Sequence, residues 1–561
     1  MKLLAVSLLV LLQTVPLSST QAKGASIEGI VTRVGSDEPI AGAQLTLTGV
    51  AGVAPRTSIP STTTDSSGRF SLRDVEAGTY KLAVMSNGYA RSEYGQRQPG
   101  IPGAPIVLAA GEDLKNLSIR LTPAGTISGH IRSLSGKPLP GIPVQLVRRI
   151  YNARGQRISQ SAGMVRTNDR GEYRFYWITP GRYYVVAGQG NMRDLARTDQ
   201  NRNETTDQYP YTFFPGVNEF EKAADVEIQS GASLDAIDFN LPKPQRYRIS
   251  GRVVDSATGL APRQAVVTLT YWSPNGGSSS SSTGPYNAKT GTIEFTEVVP
   301  GSYSISLVAY EGTGLPGAAF QRRTADSSVA TNAVVASSDV DLGLLTIVPP
   351  HTVNGQIKVE GPVNNSITMG SFRVSLLTPL NTDASSMVPP VFITGLPIQG
   401  NGTFTGYSPH DSLRVSMSGM PPGFYVREAR LNGVDALADI APLSNANELV
   451  VTLSSRGGEI TGVVQDERMQ PTAGVQAVLV PNANREYPEF FQDVTSDQNG
   501  RFRFTGIAPG DYKLFAWESL ERYSYFDPQV LEKYEQNGQP VHIAESSHET
   551  LNLKMIAARG E

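Results

Sequence analysis

Short stretches in which apolar and polar residues alternate recur along the chain, and turn-forming residues separate them. Phe70-Ser-Leu72 and Phe502-Arg-Phe504 show the alternation of a half-buried strand. The turn sequences Asp-Ser-Ser-Gly and Asp-Gln-Asn-Gly precede them, and Pro-Gly follows several such strands. Short strands with turn signals every ~8–12 residues are typical of β-sandwiches, so the pattern predicts an all-β protein.

One phrase of this kind occurs four times. It contains two glycines ten positions apart and a tyrosine two positions after the second glycine. The glycine pairs are Gly68 and Gly78, Gly171 and Gly181, Gly291 and Gly301, and Gly500 and Gly510, and the tyrosines are Tyr80, Tyr183, Tyr303 and Tyr512. The phrase reads as a turn, a strand, a second turn and a second strand. This structural role accounts for its residues, so no catalytic role is needed to explain the repeat. We expect each tyrosine to donate a hydrogen bond to nearby backbone, as a tyrosine corner does.

A second recurring element marks the start of each repeat. It consists of an apolar residue, one variable residue and a glycine. It begins at Ile27, Ile127, Ile249, Val353 and Ile460. After Val353 the phrase is degenerate, because Ser412 replaces the second glycine and Arg414 replaces the tyrosine. The pattern predicts a tandem array of about five seven-stranded, Ig-like or transthyretin-like β-sandwich modules with short linkers.

The spacing of these elements gives the predicted domain boundaries. They are a signal peptide over 1–22, module 1 over 24–123, module 2 over 124–243, module 3 over 246–349, a degenerate module 4 over 350–457, and module 5 over 458–561. We interpret residues 421–437 as an extra hairpin of module 4. The segment 517–534 is expected to contain a short helix after Pro528 and to cap module 5 with its aromatic side chains.

The first residues have the composition of a secretory signal. Lys2 precedes an apolar run from Leu3 to Leu12, and polar residues follow up to Ala22. The run is shorter than the ~18 residues that span a bilayer, so we expect no transmembrane anchor after cleavage. The chain has no cysteine, which favours a bacterial exported protein because eukaryotic extracellular β-proteins usually carry disulfides. The expected location is the periplasm or the exterior.

The repeat starts, the T-D-x-x-G-x-F phrase and the P-G-x-Y turn resemble the carboxypeptidase regulatory-like domain. This domain is a transthyretin-like sandwich that is often grouped with carbohydrate-binding-like folds. The resemblance covers nearly the whole chain after residue 22 and is strongest in modules 1, 2 and 5. In zinc carboxypeptidases this domain follows the catalytic domain and is not catalytic, so the resemblance implies a non-enzymatic module.

Few residue patterns in the chain suggest catalysis, metal binding or cofactor binding. His542-Ile-Ala-Glu545 matches the H-x-x-E fragment of zinc carboxypeptidases, yet His548 is the only later histidine. A G-x-G-x-x-G match over 312–317 lacks the following helix that a dinucleotide site needs. Acidic turns at Asp65, Asp169 and Asp497 offer too few oxygens for calcium. We therefore predict no catalytic residues, no metal site and no cofactor, and the net charge of −3 argues against nucleic-acid binding.

Aromatic residues in long connections are the candidates for ligand contact. Rings on loops can stack on sugars, and they can equally cover the end of a sandwich or pack between modules. The sugar-stacking candidates are Tyr209, Tyr211, Phe213, Tyr271, Trp272 and Tyr286.

The sequence thus predicts an exported, non-enzymatic protein with a binding or structural role in the cell envelope. Polysaccharide or envelope proteins are the expected partners, with nucleic acid excluded. A carbohydrate-binding protein proper is the alternative function, and a carboxypeptidase-related hydrolase is the remote one.

Overall fold

The computed structural model describes residues 24–50, 60–188, 209–243, 245–272, 278–309, 328–362, 369–377, 393–408 and 410–558. The predicted signal peptide lies outside the described residues. The described residues form ten β-sheets, and each strand ladder among them joins strands of one predicted module. The all-β class and the tandem array of sandwiches are confirmed.

Modules 1 and 2 each place two sheets face to face. The strands of module 1 are β1 (Ala25–Arg33), β2 (Gln44–Gly49), β3 (Ser61–Thr63), β4 (Arg69–Val75), β5 (Gly78–Met85), β6 (Ser92–Glu93), β7 (Ile106–Leu108) and β8 (Asp113–Leu121). The strands of module 2 are β9 (Gly125–Ser133), β10 (Pro143–Tyr151), β11 (Arg157–Arg166), β12 (Glu172–Ile178), β13 (Gly181–Ala187), β14 (Thr212–Phe213), β15 (Val226–Ile228), β16 (Ser233–Leu234) and β17 (Phe239–Leu241). A 3-10 turn of module 2 spans Phe220–Lys222.

Modules 3 and 4 follow the same plan. The strands of module 3 are β18 (Tyr247–Asp255), β19 (Ala265–Trp272), β20 (Ser278–Gly284), β21 (Tyr286–Asn287), β22 (Thr292–Val298), β23 (Gly301–Ala309), β24 (Ser328–Val335) and β25 (Val340–Ile347). The strands of module 4 are β26 (His351–Glu360), β27 (Arg373–Leu377), β28 (Ile393–Pro397), β29 (Thr403–Ser408), β30 (Ser412–Ser418), β31 (Tyr425–Leu431), β32 (Val434–Asp435), β33 (Ala441–Pro442) and β34 (Asn447–Ser454). A 3-10 turn of module 4 spans Met369–Ser371.

Module 5 has seven strands and one α-helix among its described residues. They are β35 (Gly458–Gln465), β36 (Gln476–Pro481), β37 (Gln492–Thr495), β38 (Arg501–Ile507), β39 (Gly510–Trp517), α1 (Pro528–Leu531), β40 (Gln539–Ile543) and β41 (His548–Lys554). Its 3-10 turns span Pro488–Phe490, Ser524–Phe526 and Glu532–Asn537.

The first strand of each module organises one of its two sheets. It pairs antiparallel with the strand that follows the first glycine of the phrase, as β1 pairs with β4, and parallel with the last strand, as β1 pairs with β8. Because side chains of a strand alternate between faces, Phe70 and Leu72 point inward and are each 4% exposed. This period-two pattern places an apolar core between the two sheets of module 1.

The second sheet of module 5 is covered on both faces. All six residues of β36 are buried, because the sandwich core lies on one side and the segment after β39 lies on the other. Phe515 and Trp517 of β39 stack with ring centroids 4.9 Å apart, and Tyr525 of that segment stacks on Trp517 at 6.2 Å. Both the helix after Pro528 and the aromatic cap predicted for module 5 are present.

Candidate functional site

The recurring tyrosine forms the predicted corner in all four copies of the phrase. Each hydroxyl donates to the carbonyl oxygen four residues earlier: Tyr80 to Glu76 (3.0 Å), Tyr183 to Thr179 (2.5 Å), Tyr303 to Val299 (2.7 Å) and Tyr512 to Ala508 (2.8 Å). Burial raises the pKa of Tyr512 to about 12, so the phenol stays protonated and able to donate at neutral pH. The phrase therefore builds the fold, and its tyrosine has a structural role.

The acidic turns use their side chains on their own backbone. The Asp65 carboxylate accepts hydrogen bonds from the amides of Ser67 (2.8 Å) and Arg69 (2.9 Å). The Arg69 amide is the main reason that the pKa of Asp65 lies below its usual value. Asp497 caps the corresponding turn of module 5 in the same way. In module 2 the capping residue is Asn168 and not the neighbouring Asp169.

Three of the six sugar-stacking candidates lie in a shared core between modules 2 and 3. Tyr211 is 5% exposed, Phe213 is 0% exposed and Tyr271 is 3% exposed. The ring of Tyr271 lies 5.3 Å from that of Tyr211 and 5.1 Å from that of Tyr303. Rings covered in this way present no face to a sugar, so stacking does not fit their positions, whereas packing between modules does.

The other three candidates have different surroundings. The Tyr286 hydroxyl donates to the Pro262 carbonyl oxygen (2.6 Å), and its ring packs partly buried against the core of module 3. Tyr209 packs partly buried against the core of module 2. The backbone of Trp272 belongs to β19, and its side chain lies outside the described residues.

The residues of the candidate hydrolase and dinucleotide motifs have other partners or lie outside the described residues. His542 pairs with Asp511 (2.7 Å) on an exposed surface. Glu545 instead accepts from the Tyr425 hydroxyl of module 4 (3.1 Å) and lies 3.7 Å from Arg427. No group of three or more His, Asp or Glu side chains suited to a metal ion occurs in the described part of the chain. The G-x-G-x-x-G match over 312–317 is outside the described residues.

Module 5 packs against module 1, which is its most distant neighbour in sequence. The Gln498 side chain, at the tip of the recurring turn, accepts from the amide of Val107 (2.9 Å) and donates to its carbonyl oxygen (2.6 Å). Val107 lies in β7 at the edge of its sheet, so one side chain satisfies both of its backbone groups. Arg97 donates to the Ala473 carbonyl oxygen and pairs with Glu518, both at 3.2 Å.

Module 5 also contacts modules 2 and 4. The Tyr151 hydroxyl of module 2 donates to the Asp527 carboxylate (2.9 Å). Arg414 of module 4, which replaces the corner tyrosine of the phrase, pairs with Glu489 (2.6 Å) and lies 3.3 Å from the centroid of the Tyr487 ring. Arg414 also donates to the Leu437 carbonyl oxygen of its own module (2.7 Å), so the degenerate copy keeps a hydrogen bond within the module and adds a contact between modules.

A cleft of about 880 Å³ separates the sheets of modules 1 and 5. Its lining combines hydroxyl, amide and cationic side chains, among them Lys81, Arg501, Arg503, Thr550 and Asn552. Arg503 pairs with Glu459 (2.7 Å).

Two exposed aromatic residues stand apart from the interfaces. Tyr176 is 60% exposed and Trp177 is 63% exposed at the end of β12. Trp177 has a φ of 54°, and the same position carries Asp74 in module 1, Glu297 in module 3 and Gly506 in module 5, all with positive φ. A large ring is unfavourable both in this backbone conformation and in water. The pair could not be predicted from the sequence, because alternation assigns such residues to a strand and does not show which faces of the strand stay exposed.

The first module is similar to a known family. Residues 26–122 match the family described as the carboxypeptidase regulatory-like domain. No curated protein matches the chain.

Solved structures with detectable similarity are distant. The chain is similar to the Bacillus anthracis TIE protein (10% identity, 73% of this chain and 68% of that chain, TM-score 0.16). It is similar to the streptococcal ancillary pilin (11%, 58% and 99%, TM-score 0.20) and to BcpA, the major pilin subunit of Bacillus cereus (11%, 94% and 98%, TM-score 0.15). Superpositions this poor say nothing about shared function. No helix in the described residues is long and apolar enough to cross a membrane.

Proposed function

We propose that the chain is an exported, non-enzymatic protein of the bacterial cell envelope that acts as a binding scaffold. The proposal rests on the hydrogen-bond partners of the side chains in the repeated phrase. The tyrosine and the aspartate or asparagine of the phrase are engaged within their own module, so the repeat supplies sandwiches and no reactive group. The ionic side chains of Arg97 and Arg414 pair with Glu518 and Glu489 of module 5.

The packing of module 5 on modules 1, 2 and 4 supports a scaffold role. Contacts between residues 376 to 421 positions apart hold the two ends of the chain together. Such packing presents fixed clefts and sheet edges, in contrast to a string of independent modules. Fixed surfaces favour specific binding because less conformational freedom is lost on association.

Two measurements on the protein test this role. The full chain and a variant lacking residues 2–22 are expressed in a bacterium, and envelope and medium fractions are compared with cytosol. We expect export of the full chain only, and cytosolic retention of both would refute the location. Residues 23–561 are then assayed against peptidase and esterase substrates with and without a chelator. Turnover that the chelator abolishes would refute the non-enzymatic role.

The exposed pair Tyr176 and Trp177 supports a second candidate, carbohydrate binding. Aromatic faces open to water stack on the apolar faces of sugar rings, and Arg174, whose guanidinium lies 5.1 Å from the centroid of the Tyr176 ring, supplies a hydrogen-bond donor. Bulky residues in the left-handed region cost ~1–3 kcal/mol and are typical of functional positions. Tyr176 and Trp177 together form an aromatic platform, which would bind a polysaccharide along its surface.

The matched variant for this platform is Trp177→Asp, which restores the residue type that module 1 has at the same position. It removes the ring and leaves a side chain that tolerates positive φ. We expect a polysaccharide retained by the wild-type protein in affinity electrophoresis to lose retention with Trp177→Asp, while Leu134→Ala, at a residue 72% exposed, has no effect. Equal retention of all three proteins would exclude this platform.

A further inference from the structure

The last strand of each module lies at the same place, parallel to the first strand. In modules 1 and 3 this strand is interrupted by a bulge. The pairing of β8 shifts beside Asn116, with a φ of 61°, and the pairing of β25 shifts beside Gly343, with a φ of 66°. In module 2 the strand is split into β16 and β17 around Ala236, with a φ of 63°. Bulges of this kind prevent another strand from adding to an edge.

Modules 4 and 5 lack this interruption. The ladder of β34 runs over eight consecutive residues and that of β41 over seven, both without a shift in register. In module 4 the outer edge of β34 is covered by β31, which pairs antiparallel to it and continues into β32. This is the extra hairpin predicted for 421–437. Among the described residues, β41 has no strand on its outer side.

Equivalent residues of β34 and β41 differ in how far they are buried. Leu449 opposes Gly355 in module 4, and Leu551 opposes Gly462 in module 5. Leu449, together with Val451 and Leu453 on the same face, is 0% exposed beneath the added strand. Leu551 and Met555, at the positions of Leu449 and Leu453, are only partly buried, whereas Leu553, at the position of Val451, is 2% exposed. The edge of module 5 therefore leaves apolar surface that a further strand would cover.

The backbone of β41 is also available. The Met555 amide donates to the Gln465 carbonyl oxygen (2.8 Å), and the Ser547 carbonyl oxygen accepts from the Glu459 amide (2.8 Å). In a parallel ladder alternate residues bond to the neighbouring strand. The odd-numbered residues of β41 thus face β35, and the amides and carbonyls of Thr550 and Asn552 point away from it. Both residues are exposed, and their side chains line the cleft between modules 1 and 5 on the outer face of the sheet.

We propose that the outer edge of β41 binds an extended segment of a partner protein, which adds antiparallel as β31 does to β34. The segment carries apolar side chains at alternate positions, in the manner of Ala429 and Leu431 in β31, and these cover Leu551 and Met555. Main-chain hydrogen bonds to Thr550 and Asn552 supply affinity, and the fit of the segment's apolar side chains against Leu551 and Met555 supplies specificity. The inference rests on the proposed binding role and names the class of partner.

The test uses residues 23–561 and a fluorescent synthetic peptide of residues 424–437, which contains β31. Asn552→Pro removes an outward amide and places a ring on the edge without removing a bond to β35. Asn552→Ala is the matched control, because it changes the side chain and keeps the amide. We expect peptide binding, measured by anisotropy, to weaken at least tenfold in Asn552→Pro and to change less than twofold in Asn552→Ala. Equal weakening in both variants would mean side-chain recognition and would overturn strand addition.

Hydrogen exchange on the wild-type protein gives an answer that does not depend on the variants folding. We expect the peptide to slow exchange over residues 548–554. Protection over residues 447–454 instead, or no protection at all, would overturn the assignment. Self-association in the absence of peptide that Asn552→Pro abolishes would make a second copy the occupant and would likewise overturn it. Hydrolase activity would contradict the proposed function and leave these binding results unaffected.

Discussion

Replacing Tyr271 by alanine tests whether the aromatic cluster between modules 2 and 3 is a core or a ligand site. The side chain is 3% exposed and its ring contacts those of Tyr211 and Tyr303. Truncating a buried aromatic residue to alanine costs about 3–5 kcal/mol, because transfer energy is lost and a cavity remains. The cluster joins two modules, so the loss acts on both.

The magnitude can be expressed as a change in melting temperature. If modules 2 and 3 unfold as one cooperative unit, each kcal/mol lowers the Tm by ~2–4 °C, so Tyr271→Ala is expected to lower it by about 6–20 °C. Differential scanning calorimetry of residues 23–561 measures the shift. Limited proteolysis should show new cleavage in modules 2 and 3 and an unchanged module 5.

The control is Tyr176→Ala, since a change at a residue 60% exposed should alter stability by less than ~0.5 kcal/mol. If Tyr271→Ala melted like the wild-type protein, the ring could not be part of a core. If such a stable variant also lost binding to a polysaccharide, the sugar-stacking interpretation of Tyr271 would replace the packing one.

Three further predictions follow from the local geometry. Tyr303→Phe leaves a buried carbonyl oxygen without its donor and should destabilise module 3 by about 1–3 kcal/mol, measured by calorimetry; an unchanged transition would deny the corner a role in stability. An ideal Cβ on Gly155 lies 2.5 Å from the Cβ of Phe526, which is ~1 Å closer than the two Cβ atoms of a disulfide, and the φ of Gly155 is 71°. Because the chain has no cysteine, the double variant Gly155→Cys, Phe526→Cys should form a disulfide between modules 2 and 5 once the two backbones move apart by ~1 Å, at a cost in stability from the left-handed φ. Faster migration in non-reducing gels would report it, and its absence under oxidation would argue against the contact. Glu535 has a lowered pKa, first because Arg485 donates to it. Its stabilisation is present above the unfolded pKa and is lost as pH falls through the folded pKa. Glu535→Gln should therefore lower the Tm at pH 7, and calorimetry at decreasing pH should show the difference from the wild-type protein shrinking.

Local features of the fold could be predicted because they depend on residues close in sequence. The corner hydrogen bond of Tyr303 joins residues four apart, and the turn around Asp65 uses amides two and four residues away. Period-two alternation indicated which side of each strand is apolar. These signals were sufficient for the sandwiches, the degenerate copy and the hairpin of module 4.

The contacts between modules and the covering of sheet edges were decided by the tertiary structure. Alternation shows that a strand has an apolar face and does not show what covers it, so Tyr211 and Tyr271 looked like loop rings although each lies in the core that modules 2 and 3 share. The contact of Gln498 with Val107 spans 391 residues and has no sequence pattern. The free edge of β41 became visible only beside the covered edge of β34. The sequence by itself determined the repeated unit through short-range hydrogen bonds and periodicity, whereas interfaces and edges depend on how whole surfaces meet in space.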